Sequence, residues 1–161
     1  MSILRVDTIQ HSNGTAALTI DSSGRVVSPN KPAFIAYNNG ASAIVGPNIM
    51  TYNIERLDAS NSMNISTGIF TAPVSGLYFF GFNSLAEINN TSLTEVFFRK
   101  NGAALTYTRA YDAENVGTAY GPTSVITTIE QMSANDTMQV YLNSGSSHGN
   151  SNGQFYGYLI G

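Results

Sequence analysis

The chain has 161 residues, of which 42% are hydrophobic and only 11% are charged, and its formal net charge is −3. This length suits one main domain, and the abundant aromatic residues exclude intrinsic disorder. The weak negative charge offers no basic field for nucleic acid or an anionic membrane, and without cysteine there is neither a disulfide framework nor thiolate chemistry.

Residues 1–31 carry too few apolar side chains to build a core of their own. Ile3, Val6 and Ile9 are thinly spaced apolar anchors, and segments 18–20 and 25–27 flank Asp21-Ser22-Ser23-Gly24, which predicts a small hairpin. The first ten residues lack the hydrophobic core of a signal peptide. We expect this segment to pack on another protein or on its own copies. The stretch Ser28-Pro29-Asn30-Lys31-Pro32 then predicts an extended boundary.

Residues 32–161 show short strand patterns separated by turns rich in Gly and Asn, and no window has helical periodicity or the length of a membrane span. Asn101-Gly102 is the strongest hairpin signal in the chain. Segments 59–67, 87–92 and 111–121 are predicted loops. The predicted strands cover residues 33–37, 49–57, 69–72, 77–86, 94–100, 103–109, 124–132, 137–143 and 154–160. Many short strands at this spacing predict an all-β sandwich or barrel.

Two of these strands are apolar on both faces. In 77–86, the two alternate sets of residues are Leu77-Phe79-Gly81 and Tyr78-Phe80-Phe82. Segment 154–160 is likewise apolar at both alternate sets of positions. An antiparallel strand normally has one face in water, as the pattern of 137–143 predicts for that strand. The doubly apolar strands therefore need a second cover, which another subunit can provide.

A longer motif surrounds the first of these strands. Phe70, Gly76, Tyr78, Phe80 and Phe82 have the spacing of the signature of complement-1q globular heads, which are trimeric jelly rolls related to tumour necrosis factor. The closing stretch Phe-Tyr-Gly-Tyr-Leu-Ile at 155–160 resembles the last strand of that family, whereas upstream Tyr52 and Met63 depart from its pattern. The resemblance covers residues 32–161 and implies an antiparallel, ten-stranded jelly-roll head domain.

The resemblance also implies a homotrimer in which the two doubly apolar strands meet at a threefold axis. On this basis we predict a trimer interface at Leu77, Phe79, Val125, Phe155 and Leu159. The opposite faces of the two doubly apolar strands are predicted to lie in the core of the protomer, with the side chains of Tyr78, Phe80, Phe82, Tyr156 and Tyr158. The alternative is that loops and the first 31 residues cover both faces within one chain.

The beginning of the chain carries a second resemblance. Ser-Ile-Leu-Arg-Val-Asp-Thr-Ile-Gln at 2–10 and Ala-Leu-Thr-Ile-Asp-Ser-Ser-Gly-Arg-Val at 17–26 resemble the amino-terminal segments of fibre proteins of tailed bacteriophages, especially marine ones. This implies a virion protein in which Ile3, Val6 and Ile9 dock the chain to tail or capsid proteins. The alternative is that residues 1–31 are a frayed leader to the first strand.

Candidate catalytic and metal-binding residues are few. His11 and His148 lie in predicted loops without a second ligand at a suitable spacing. No Gly-x-Ser-x-Gly motif or carboxylate pair predicts hydrolysis. Calcium ligation by Asp112, Glu114 and Asn115 is conceivable, but their spacing is not that of an EF-hand. We therefore predict a protein that is not an enzyme and has no assigned cofactor.

Binding is the function that the composition favours. Loops 87–92, 111–121 and 144–153 are rich in Asn, Ser, Gly and Tyr, which are common in adaptable binding surfaces. The same residues also occur in turns for backbone reasons alone. The candidate contacts to a host-surface glycan are Tyr111, Asp112, Glu114, Asn115 and Tyr120.

The function predicted from these observations is that of a trimeric phage tail fibre or knob located on the virion and used for host attachment. A trimeric capsid decoration protein is the alternative. A carbohydrate-active enzyme on the same scaffold is the third hypothesis.

Overall fold

The computed structural model describes residues 6–40, 42–85, 93–112, 123–148 and 153–161. These residues form seventeen β-strands and one short 3-10 helix, Thr106–Thr108. The strands are β1 Thr8–Gln10, β2 Ala16–Ile20, β3 Val26–Val27, β4 Ala33–Tyr37, β5 Ile44–Val45, β6 Asn48–Ile49, β7 Ile54–Asp58, β8 Met63–Asn64, β9 Ile69–Thr71, β10 Gly76–Leu85, β11 Thr94–Lys100, β12 Ala103–Ala104, β13 Ala110–Asp112, β14 Thr123–Met132, β15 Thr137–Ser144, β16 Ser146–Ser147 and β17 Gly153–Leu159. By its internal contacts, the chain divides into two compact units, Met1–Lys31 and Pro32–Gly161.

The first unit is a three-stranded antiparallel sheet in the order β1-β2-β3. The predicted hairpin turn is present: the Asp21 carboxylate accepts hydrogen bonds from the backbone N–H groups of Ser23 (2.9 Å) and Arg25 (3.0 Å), and Gly24 has a φ of 77°. This unit exposes several apolar side chains, namely Ile9, Ile20, Val26 and Val27.

The second unit is a sandwich of two antiparallel sheets. The first sheet has the order β14-β10-β17-β4-β7, and the second sheet has the order β12-β11-β15-β9-β8, with β13 beside β11 and β6 beside β15. Strands β5 and β16 form a separate pair. Buried side chains from both sheets form one hydrophobic core, and the predicted all-β jelly roll is confirmed.

Aromatic rings form the centre of this core. The Phe34 ring stacks on Phe70 and meets the edge of Phe155, with centroid distances of 4.8 Å in both pairs. Phe80 packs against the same rings and is fully buried. Offset and edge-on contacts of this kind add to the hydrophobic contribution of each ring, so the motif residues Phe70 and Phe80 hold the two sheets together.

The Asn101-Gly102 hairpin is confirmed, because both residues have a positive φ, 51° and 77°, and join β11 to β12. The predicted strand 103–109 is too long, however. β12 ends at Ala104 and a 3-10 turn follows, in which the Thr108 hydroxyl accepts the hydrogen bond of the Phe98 N–H at 2.9 Å. The Thr108 side chain thus accepts the Phe98 hydrogen bond that a backbone carbonyl of a longer β12 would have accepted.

Two further boundaries differ from the prediction. Segment 49–57 is interrupted between β6 and β7, where the buried side chains of Met50 and Tyr52 enter the core. The predicted loop 59–67 contains β8, whose Met63 is also buried.

The prediction for the faces of the closing strand is wrong. Phe82 pairs with Phe155 and Tyr78 with Leu159, so Phe155 and Leu159 lie on the core side of the first sheet. Phe155 is completely buried within the protomer. Tyr156 and Tyr158, predicted to lie in the core, point to the opposite face, where they pack beside Phe79. Cross-strand register decides these directions, since side chains of paired residues lie on the same side of a sheet.

Candidate functional site

The outer face of the first sheet is an apolar surface formed by β10, β14 and β17. Ile129, Phe79 and Tyr158 are neighbours in one row across these strands, and the Phe79 and Tyr158 rings have centroids 5.4 Å apart. Val125 and Ile129 are more than half exposed, at 58% and 56%. The alternate, outward positions of the three strands carry no charged side chain. Single exposed apolar side chains are common on protein surfaces, but exposed apolar side chains that adjoin across three strands indicate an interaction surface.

Three of the predicted interface residues lie on this face: Leu77, Phe79 and Val125. Phe155 and Leu159 do not, as described above. The prediction missed Ile129 and Tyr158, although the alternation of β14 already groups Val125 with Ile129 on one side of the strand.

The loops predicted to contact a target begin and end at the same end of the second unit. Leu85 pairs with Thr123 and Ser84 with Gly153, while Thr94 pairs with Asp112, so the ends of β10, β11, β13, β14 and β17 meet there. The backbone N–H of Leu159, at the other end of β17, bonds to Pro32 O. The chain therefore enters this unit at the end opposite to the loops.

Of the predicted target contacts, Tyr111 is 58% exposed and lies in β13 with Asp112. Glu114, Asn115 and Tyr120 lie outside the described residues, so that Asp112 is the one member of the conceivable calcium set whose backbone is described. In the first unit, Val6 is half-buried and Ile9 is exposed, whereas Ile3 lies outside the described residues.

A cluster of cations and aromatic rings, the Phe97 cluster, lies on the outer face of the second sheet. It consists of Glu95, Phe97, Arg99, Arg109 and Tyr141. The Arg99 Cζ lies 3.3 Å from the Tyr141 ring centroid, and the Arg109 Cζ lies 4.6 Å from that of Phe97. Arg109 forms an ion pair with Glu95. The prediction missed this cluster, although Glu95, Phe97 and Arg99 alternate along β11 and therefore share one face.

Two contacts extend the cluster towards the loop end. The Arg109 guanidinium donates to the Tyr111 hydroxyl at 3.4 Å, and this contact together with the Glu95 carboxylate raises the pKa of Arg109. The Asn143 amide donates to the second Glu95 carboxylate oxygen at 2.7 Å. The cation of Arg109 is thereby fixed in place and neutralised.

A polar cavity of about 510 Å³ lies at the end of the second unit where the chain enters. Amide, hydroxyl and apolar groups line it, and none of the lining side chains is ionisable. Asn61 and Asn135, on its wall, both have a positive φ (52° and 73°), a conformation that asparagine adopts more readily than most residues.

The two histidines lie in different units of the chain, His11 in the first and His148 in the second. The exposed His11 accepts a hydrogen bond from the backbone N–H of Asn13, and the backbone N–H of His148 bonds to Leu85 O. Within the described part of the chain, no three potential metal ligands come together. No helix in that part is long and apolar enough to cross a membrane.

The fold and its apolar outer face define an all-β jelly-roll head. The C1q domain model matches residues 33–160, and the chain belongs to the C1q domain family. The second unit is similar to the globular domain of zebrafish complement 1qA protein, with 20% sequence identity and a TM-score of 0.63 over 81% of this chain and 98% of that one. No curated protein sequence matches the chain. C1q domains commonly form trimers, and the family is generally non-enzymatic.

Proposed function

We propose that this chain is a non-enzymatic, homotrimeric structural protein of a virion, which acts as a tail fibre or knob and binds the surface of the host. The observation that carries the proposed trimer is the apolar surface of β10, β14 and β17 on the outer face of the first sheet, with Phe79, Ile129 and Tyr158 in one row and no charged side chain at the outward positions of these three strands.

Self-association is the simplest way to cover this face. Burying one aromatic side chain removes about 150–250 Å² from water, and each Å² contributes about 25 cal/mol. A ring of such side chains in three copies thus provides a strong hydrophobic driving force. A closed threefold arrangement also covers the face in every copy, whereas an open arrangement leaves one face exposed at the end of the assembly.

Attachment to a particle is assigned to residues 1–31. The exposed apolar side chains of this unit favour a protein partner, and its sequence resembles the amino-terminal segments of phage fibres. The loops at the end opposite to Pro32 then remain available for a target. A trimer presents three copies of each loop, so weak contacts of single loops with a repetitive surface add up to a higher overall affinity.

The molar mass in solution tests the assembly. Light scattering is performed on the full chain and on a shortened chain that begins at Lys31. Three protomers in both samples support assembly through the head. A monomer in both overturns the trimer, and a trimer formed by the full chain alone transfers assembly to the first unit.

The virion setting needs a separate experiment. Immunogold labelling of purified phage particles with an antibody against residues 32–161 distinguishes the two virion roles. Label at the tail supports the fibre, label over the capsid supports the decoration protein, and particles without label overturn both.

A further inference from the structure

Phe97 has an unusual position, because it points outward from the second sheet and is nevertheless only 2% exposed. It does not belong to the core between the sheets. Its cover consists of the Tyr141 ring (centroids 5.6 Å apart) and the guanidinium groups of Arg99 and Arg109, whose Cζ atoms lie 5.7 and 4.6 Å from the Phe97 centroid. Two cations are therefore held close together over one hydrophobic ring.

The two arginines differ in how their charge is balanced. Arg109 is paired with the buried Glu95. Arg99 has no carboxylate partner among the described residues, and its Nε is buried without a hydrogen-bond acceptor. A half-buried cation with one unsatisfied donor is costly, and a bound anion would reduce that cost.

The stacking of Arg99 also prepares it for a particular kind of anion. The Tyr141 ring covers one face of the guanidinium at 3.3 Å and restricts its rotation. The Arg99 side chain is half-buried, and among the described residues no group accepts a hydrogen bond from its two Nη groups. A planar fork presented in this way matches the two oxygens of a carboxylate.

The surroundings favour a saccharide as the carrier of that carboxylate. Tyr111, held by Arg109 at the edge of the cluster, has a ring that is 58% exposed, and the neighbouring Asn143 is exposed as well. An amphipathic ring and an amide suit the apolar face and the hydroxyl groups of a sugar. A peptide strand cannot add here, because β11 and β15 are interior strands of the second sheet.

We propose that the Phe97 cluster, with Tyr111 and Asn143, is a binding site for a carboxylate-bearing saccharide of the uronic acid type, in which Arg99 holds the carboxylate. This inference rests on the proposed function, because it names the class of host-surface ligand. The site lies on the second sheet, so a trimer assembled through the first sheet leaves it accessible in all three protomers.

The test is a titration of the full chain with a hexuronate oligosaccharide, compared with the neutral hexose oligosaccharide of the same length, by calorimetry or ligand-observed NMR. We expect binding of the uronate alone, with an affinity that falls as salt is added. Arg99→Gln should weaken binding about tenfold or more, and Arg99→Lys should restore only part of it because an ammonium lacks the fork.

Arg56→Gln is the matched control, since it removes the same charge from an exposed position on β7 in the other sheet. It should leave the affinity within about twofold of the wild-type value.

Tyr111→Ala is the second variant, used in case Arg99→Gln does not fold. The exposed Tyr111 ring does not pack over Phe97, so its removal should leave the fold intact and weaken uronate binding. Equal loss in the Arg56 and Arg99 variants, equal binding of both sugars, or no binding of the uronate by the wild-type chain would each overturn the site.

The molar mass of every variant is measured in the same samples. A trimer that does not bind the uronate refutes the site and leaves the assembly proposal intact. A monomer that binds the uronate in an Arg99-dependent way refutes the trimer and retains the site.

Discussion

Tyr156 lies over Gly81, its register partner on the neighbouring strand, and its ring occupies the space that a side chain at Gly81 would fill. This contact lies on the outer face of the first sheet, beside Phe79. Because Gly81 has no Cβ, the Tyr156 ring can lie close to the sheet at this position.

We therefore predict that Gly81→Ala impairs assembly more than folding. The added methyl group overlaps the Tyr156 ring, which can turn outward because it lies on the surface of the protomer. Light scattering should show a lower molar mass at equal concentration, while circular dichroism stays that of a β-sheet protein.

Gly157→Ala is the control for this prediction. Gly157 lies on the core side, where a Cβ would come within 2.7 Å of Phe80, 2.8 Å of Phe34 and 2.9 Å of the Phe79 carbonyl oxygen. This overpacking should cost about 1–3 kcal/mol of folding stability in denaturant unfolding. If Gly81→Ala unfolds the protomer as severely as Gly157→Ala does, Tyr156 is not free to move.

A second prediction separates the two faces of the first sheet. Phe79→Ser removes an aromatic side chain from the outer face, so we expect dissociation into protomers that keep their fold. Val45→Ser, at a residue that is 60% exposed but lies on β5, should leave the molar mass unchanged. Sedimentation or light scattering across a concentration series checks both, and a trimer formed by Phe79→Ser as tightly as by the wild-type chain contradicts the assembly face.

Phe155→Ala should instead destabilise the fold of the protomer. Phe155 is fully buried and packs against Phe34, Phe80 and Phe98, so its truncation leaves a core cavity. We expect a loss of about 3–5 kcal/mol in the free energy of unfolding. Urea unfolding measures this loss, and a change below about 1 kcal/mol would contradict the position of Phe155 in the core.

The closing strand explains how far the sequence can predict this fold. Alternation within 154–160 correctly separates Phe155 from Tyr156 and Tyr158, because side chains alternate along any strand. Both faces are apolar, however, so the pattern does not say which set points to the core. That choice follows from the pairing of Phe155 with Phe82, which is a contact between residues far apart in the chain.

Local turn chemistry was more informative. Asn101-Gly102 and Gly24 specify their turns by backbone conformation alone, so they are predictable from a few residues. The short strand β8 was missed because Met63 and Ile65 are the only strongly apolar residues in the polar segment 59–67, and tertiary packing places Met63 in the core. The Phe97 cluster combines Arg109 after the hairpin with Tyr141 on β15, and no local pattern brings these two residues together.

A third prediction concerns the Glu95–Arg109 ion pair. Glu95→Gln preserves the shape of the side chain but removes the negative charge that balances Arg109. Since the Arg109 side chain is 31% exposed, water compensates part of the loss, and we expect a decrease of about 1–2 kcal/mol in the free energy of unfolding. Denaturant unfolding of the variant and of Glu55→Gln, an exposed control on β7, checks the value.

The double variant Glu95→Gln/Arg109→Gln sharpens this test. If the two charges stabilise the protein by pairing, the loss in the double variant should be smaller than the two single losses added together. Strict additivity would show that the pairing of Glu95 with Arg109 does not stabilise the fold.

The last prediction is a pH dependence caused by Asp136. The Asn101 amide donates to its carboxylate at 2.8 Å, the backbone N–H of Ser133 donates at 2.8 Å, and Lys100 lies 3.5 Å away; together they lower the pKa of Asp136 below 3.8. A carboxyl group with a lower pKa in the folded state stabilises the protein fully above its unfolded pKa. That stabilising contribution is lost as the pH falls through the pKa of the folded state.

Asp136→Asn should therefore be less stable than the wild type at neutral pH, and the difference in stability should shrink below about pH 4. Urea midpoints measured from neutral to acidic pH test this, with Asp7→Asn in the first unit as the control for removing one negative charge; a difference that stays constant across the whole range would rule out the ionised Asp136 carboxylate as the stabilising group.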